Sequence, residues 1–136
     1  DNYIPRDYIY CEMTWHNRYN PMRGIRTNRY KYIRNFGERP LTFLPSDIYN
    51  GLAGGEVKEE YYSTVRPEEE LYDLLNDSLE KNNLCNNNEY KVLLDNFRNM
   101  IENWMENTDD LLLEGPVPPT IKQKEFIERR EGIYNG

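Results

Sequence analysis

The sequence predicts an α+β fold: a small antiparallel sheet of about four strands with one long C-terminal helix packed across it. Three observations carry this. Segments at Tyr3–Thr14, Met22–Thr27, Tyr30–Phe36 and Glu70–Leu74 have the length and two-residue alternation of strands. Between Asn88 and Glu106, the residues Tyr90, Leu93, Leu94, Phe97, Met100, Ile101, Trp104 and Met105 recur at the i, i+3, i+4 spacing of a helix with one apolar stripe. Thr27-Asn28-Arg29 joins two of the strands in a turn short enough to force them antiparallel, with Asn28 able to take positive φ.

In the first strand Tyr8, Tyr10 and Glu12 fall on one face, and Ile9, Cys11 and Met13 on the other. Trp15 to Asn20 reads as a polar loop ended by Pro21, a residue suited to a strand's first position. On the third strand Tyr30, Tyr32, Arg34 and Phe36 share a face. Gly37 to Pro45 is irregular. Ser46-Asp47 caps a short helix at Ile48–Leu52, which Gly54-Gly55 is expected to break. Glu56 to Pro67 fits either an extended excursion or a short helix. The fourth strand leads through an Asn- and Asp-rich turn to the long helix, which Asn86 to Asn88 can cap. Its stripe must bury against something, and the sheet is the available surface. Gly115-Pro116-Val117-Pro118-Pro119 closes a domain over residues 1–117. Residues 118–136 form an extension in which Ile121–Tyr134 can make a last helix.

At 136 residues the chain suits one domain with a modest core. Charged residues make up 30%, but 13% aromatic content, with twelve Tyr, argues against disorder. No apolar run approaches the roughly 18 residues of a membrane span, so no membrane partner is expected. No targeting segment is visible; the chain opens on Asp rather than Met, as a processed or truncated product does, so the compartment stays open. The net charge of −7 divides unevenly: residues 1–43 carry eight Arg/Lys against four Asp/Glu, residues 44–136 nine against twenty. A basic first third on an acidic chain points to a local anion-binding face rather than to nucleic acid. The competing reading pairs those arginines with the acidic remainder.

Glu12 to Phe36 holds the residues with most chemical interest. Arg23 and Arg26, three apart, reach one anion only if Gly24 marks a bulge. Glu12 on the neighbouring strand can pair with Arg23 as a structural ion pair. His16, the single histidine, sits beside Trp15 and Tyr19 as either an exposed loop residue or a donor to a sugar-like ligand with Trp15 as stacking surface. A hydrolase centred on His16 with Glu12 lacks any G-x-S-x-G elbow. Cys11 and Cys85 form no CxxC or Cys/His cluster, so no metal site is expected; whether they pair is open. Asp109-Asp110 reads as a solvated helix terminus.

Two motifs resemble a known family. Glu12-Met13-Thr14, Tyr19-Asn20-Pro21-Met22-Arg23-Gly24-Ile25-Arg26-Thr27 and Tyr30–Phe36 are similar to the C-terminal region of type I sulfatases, in particular to the heparan N-sulfatase (sulfamidase, N-sulfoglucosamine sulfohydrolase) branch. That branch has E-x-T, a short loop, Y-x-P-M-R-x-x-R-T and a basic aromatic strand. Glu70–Leu84 resembles the more general E-L-Y-D-L-x-x-D-P-x-E-x-x-N-L, with Ser78 in place of Pro. The likeness spans about residues 7–117, and the loop Trp15 to Tyr19 looks longer than in the animal enzymes. It implies a subdomain that packs on a sulfatase catalytic domain, normally in the same polypeptide, and helps wall a pocket for a sulfated, glycosaminoglycan-type sugar. Trp15, His16, Arg23 and Arg26 become substrate-binding candidates. The nucleophile of the family, a formylglycine made from C/S-x-P-x-R, and its calcium lie outside this chain, since neither Cys11 nor Cys85 sits in that motif; no catalytic residue is expected here. Members are often exported to periplasm, lysosome or medium. An isolated fragment is expected to expose its docking surface and to self-associate. The alternative is a stand-alone binding module for sulfated glycans.

Overall fold

The computed structural model describes residues 4–16, 18–37, 41–42 and 44–134. Four strands, β1 (Tyr8–Trp15), β2 (Tyr19–Thr27), β3 (Tyr30–Asn35) and β4 (Glu69–Asp73), lie in the order β1-β2-β3-β4. Every neighbouring pair is antiparallel. Helices α1 (Ser46–Tyr49) and α2 (Leu52–Ser63) interrupt the meander between β3 and β4, and α3 (Lys91–Asn107) and α4 (Ile121–Tyr134) follow it. The α+β architecture expected from the alternation and the apolar stripe is the one observed.

Register explains the core. Tyr10, Ile25, Tyr32 and Leu71 are cross-strand partners in one row, so all four project to the same face. That face takes Leu94, Phe97, Ile101 and Met105 of α3, and these residues with Ile25, Tyr32 and Leu71 form the buried core. Tyr32 stacks on Phe97, with ring centroids 6.0 Å apart and planes 8° from parallel. Tyr10 stacks on Trp104 at 4.7 Å and donates its hydroxyl to the Met100 carbonyl. All eight residues of the sequence-derived stripe are buried or packed against this cluster. Asn87 supplies the cap, its side-chain oxygen accepting from Glu89 N at the one-turn 3₁₀ entry to α3.

Several expectations need correction. β1 starts at Tyr8; Ile4 to Asp7 precede it, and Tyr3 lies outside the described residues. β2 starts at Tyr19, so Pro21 sits within it. The reason is a bulge: Met13 pairs with Met22 and Trp15 with Tyr19, leaving Asn20 and Pro21 opposite the single Thr14. The proline, with no N–H, thus falls where the ladder is interrupted, while its carbonyl accepts from Phe36 N. Gly54-Gly55 does not break a helix but lies inside α2. A Cβ on Gly54 would fall 1.8 Å from the Ile48 carbonyl oxygen, so this glycine lets α2 press against α1. The ambiguous stretch after it is helical to Ser63. Both cysteines are free thiols. Cys11 pairs with Gly24 on the face opposite α3, whereas Cys85 packs on the α3-side core, where burial pushes its thiol up to about 11.

Candidate functional site

Arg23 lies mid-β2 on the α3 face, because it shares a cross-strand row with Glu12 and Arg34. A guanidinium at 3% exposure needs partners for five N–H groups. Nε donates to Asp110 Oδ2 at 2.5 Å and Nη2 to Asp110 Oδ1 at 2.8 Å, a bidentate pair. Nη1 donates to the carbonyls of Met13 and Met22, and the second Nη2 proton goes to Thr14 Oγ1. All five donors are used. The cross-strand ion pair with Glu12 exists at 3.8 Å, but Glu12 is largely exposed and secondary to Asp110. Asp110 is therefore no solvated terminus. It is a buried counter-ion held below the usual carboxylate range by the Arg23 guanidinium, and it also caps the 3₁₀ turn Leu111–Leu113 by accepting from Leu112 N. The bulge provides this arrangement: Thr14 and the Met13 carbonyl turn toward Arg23 at the register shift.

Arg26 is on the opposite face. The register runs unbroken through Gly24, so the bulge that would bring Arg23 and Arg26 to one anion is absent there and sits at Met13/Trp15 instead. Arg26 is exposed between Ile9 and Lys31, and Lys31 is bound to Glu80. Trp15 and His16 occupy the turn at the end of the sheet. The Trp15 indole N–H donates to the Val117 carbonyl at 3.0 Å, and Val117 N donates to Tyr19 Oη at 3.1 Å. The two rings, 5.0 Å apart, clamp the Pro-rich segment. His16 is exposed, and its imidazole makes no hydrogen bond to Glu12 or any other acid among the described residues. Of the sequence-derived candidates, the structure leaves His16 and Arg26 open, half-buries Trp15 in the clamp, and commits Arg23 internally.

Sequence reasoning missed a second polar cluster on the α3 face. Glu69 of β4 accepts the Tyr32 hydroxyl and a two-point contact from Arg98 of α3, and Arg98 also holds Asp95. Arg98 lowers the Glu69 carboxyl, while burial and the hydrogen bond to Glu69 raise the Tyr32 phenol. The i, i+3 spacing of Asp95 and Arg98 signals the local half of this network; Glu69 has no local signal. At the other end of β4, Asp73 takes Arg29 through both oxygens and accepts from Asn76 and from Leu75 N. Those bonds, led by Arg29, hold its carboxyl down to about 2. Among the described residues no group of three or more His, Cys, Asp or Glu could hold a metal ion, and no helix is long and apolar enough to cross a membrane.

No protein-family profile matches the chain. Two ulvan-active sulfatases from Formosa agariphila do. One is 36% identical over 120 residues, covering 82% of this chain and 23% of that protein. The other is 33% identical over 102 residues, covering 65% and 17%. Among solved structures, a 2-O GAG sulfatase superposes on 88% of the chain with a TM-score of 0.52 and 22% identity. A protein assigned as a sulfatase from Bacteroides thetaiotaomicron superposes on 90% with a TM-score of 0.54 and 21% identity. These two carry the fold alone. The homologues that share this stretch of sequence are sulfatases, and the chain spans less than a quarter of their length.

Proposed function

We propose that the chain is the C-terminal portion of a sulfatase that cleaves sulfuric esters or sulfamates on a sulfated polysaccharide, glycosaminoglycan-type sugars included. The observation that carries this is the 120-residue alignment at 36% identity with an ulvan-active sulfatase of which the chain spans 23%. On this reading the formylglycine nucleophile and the calcium ion belong to the remaining polypeptide. The present residues complete the fold and wall part of the substrate pocket. The sheet face that α3 leaves uncovered supports a docking role: Ile9 and Cys11 are exposed on it, and Met13, Met22 and Ile33 half-buried. His16 and Arg26 are the side chains best placed to meet an anionic sugar. Arg23 with Asp110 and Glu12 serves as scaffold.

The test is direct. The coding region upstream should hold a C/S-x-P-x-R motif, and the polypeptide containing it should release sulfate from ulvan or a glycosaminoglycan. The 136-residue chain alone should release none. Sulfate release by the isolated chain would overturn the assignment of the nucleophile. Comparing N-sulfated with O-sulfated substrates decides whether the likeness to the sulfamidase branch extends to chemistry. Salt-sensitive heparin binding by a chain with no upstream catalytic region would favour the stand-alone module.

A further inference from the structure

At the C-terminal end of β3 the sheet opens into a cleft of about 660 Å³ bounded by the end of β3, the segment entering β4 and one side of α3. That volume is in the usual range for small-molecule sites, about 300–1,000 Å³. It is separate from the Trp15–His16 turn and from Arg26. We propose that this cleft binds a neutral, hydroxyl-rich sugar residue.

The lining decides the ligand class. Among the described residues three arginines and three glutamates border the cleft, so their charges balance and give no net attraction for an anion. Arg98 is already neutralised by Glu69 and Asp95. What remains unused is a matched set of donors and acceptors. Arg34 spends only Nη1, on Glu102 at 3.1 Å, so the edge formed by Nε and Nη2 has no protein acceptor among the described residues. The Glu68 carboxylate likewise has no protein donor there. Adjacent hydroxyls of a pyranose both donate and accept, which suits an arginine edge and a carboxylate lining the same cleft. Phe36, with the Arg34 guanidinium 5.3 Å from its ring centroid, and the exposed Val65 supply apolar surface for the C–H face of a sugar ring. A sulfated residue would instead bring its charge beside Glu68 and Glu102.

The choice of a sugar rests on the polysaccharide reading above; the choice of a neutral one rests on the lining. The test is a chemical-shift titration of the isotope-labelled 136-residue chain with cellotetraose, xylotetraose and mannotetraose, and with a heparin tetrasaccharide as sulfated probe. At least one neutral tetrasaccharide should shift the amides of residues 34–37 and 65–69 saturably, with a Kd that does not change as salt is raised. Arg34→Gln and Glu68→Gln, both at the surface, should each weaken binding about tenfold and leave the β1 and β2 amides in place. Failure of every neutral tetrasaccharide to shift these amides overturns the proposal. So does a response confined to the heparin probe that collapses with salt. In both cases sulfate release by the longer polypeptide is a separate readout, so the sulfatase reading can survive the loss of this site.

Discussion

Arg23 on β2 and Asp110 beyond α3, 87 residues apart in sequence, face each other with two parallel hydrogen bonds of 2.5 and 2.8 Å. Both side chains are about 95% buried, with 4% and 5% exposure. Removing one partner leaves an uncompensated buried charge, which costs about 3–5 kcal/mol. Asp110→Ala is therefore expected to lower stability by that amount in urea unfolding, and Arg23→Met by at least as much. Replacing both should not restore stability, because the Met13 and Met22 carbonyls and Thr14 also lose their donor. Full recovery in the double variant would show that Asp110 was the only partner of consequence.

Acid should unfold the protein through three carboxylates. Asp73 is held down to about 2, and Glu69 and Asp110 lie below their usual values, each led by an arginine hydrogen bond. A carboxylate depressed on folding contributes fully above its unfolded value, about 4, and that contribution is lost as pH falls through the folded value. Stability should thus be level above about pH 5 and fall between about pH 4 and 2. In Asp73→Asn the urea midpoint should depend less steeply on pH over that window. An unchanged slope would remove Asp73 from the account.

Ile101 of α3 is fully buried within the cluster that includes Tyr32 and Leu71. Ile101→Ala should cost about 2–5 kcal/mol. The exposed Val92 on the same helix gives the control, since Val92→Ala should shift stability by no more than about 0.5 kcal/mol. Equal effects in thermal melts would mean that α3 does not pack as described.

The Trp15 and Tyr19 clamp holds the chain at Val117. Trp15→Phe keeps a ring but loses the indole donor; Tyr19→Phe loses the acceptor. Each should cost about 1 kcal/mol and speed proteolytic nicking between Gly115 and Thr120. Nicking unchanged in the double variant would show that the segment is held by something else.

Gly54 is the point where α2 meets α1. A methyl group there would fall 1.8 Å from a backbone oxygen of Ile48, which no side-chain rotation relieves. Gly54→Ala should displace α1 and raise hydrogen exchange in residues 46–49, whereas Gly55→Ala, with open space at its Cβ, should not.

The helix stripe and the strand alternation were legible because they are local: side chains two or three to four residues apart share a face whatever follows. Every stripe residue from Tyr90 to Met105 reached the core or its margin. What was not legible depends on partners distant in sequence. Asp110 next to Asp109 looks like any solvated acidic pair until β2 brings Arg23 to it. Trp15 reads as a free stacking surface until Val117 arrives 102 residues later. Gly54 carries the local signature of a helix breaker, and only the proximity of Ile48 reveals it as a contact point. The ordered placement of Arg23 and Arg26 on opposite faces followed from strand geometry, but the location of the bulge did not.

The two edges of the sheet are unlike. Along the outer side of β4, Asn83 behaves as a fragment of strand: its amide oxygen accepts from Leu71 N and its amide nitrogen donates to the Glu69 carbonyl. Leu84 N then takes the Leu71 carbonyl, and Asn76 and Asp77 take that of Asp73. These backbone groups of β4 are thus occupied, whereas among the described residues β1 pairs with β2 alone. Among the described residues the open edge for a further strand is therefore β1, and side chains along β1 would set which sequences it admits.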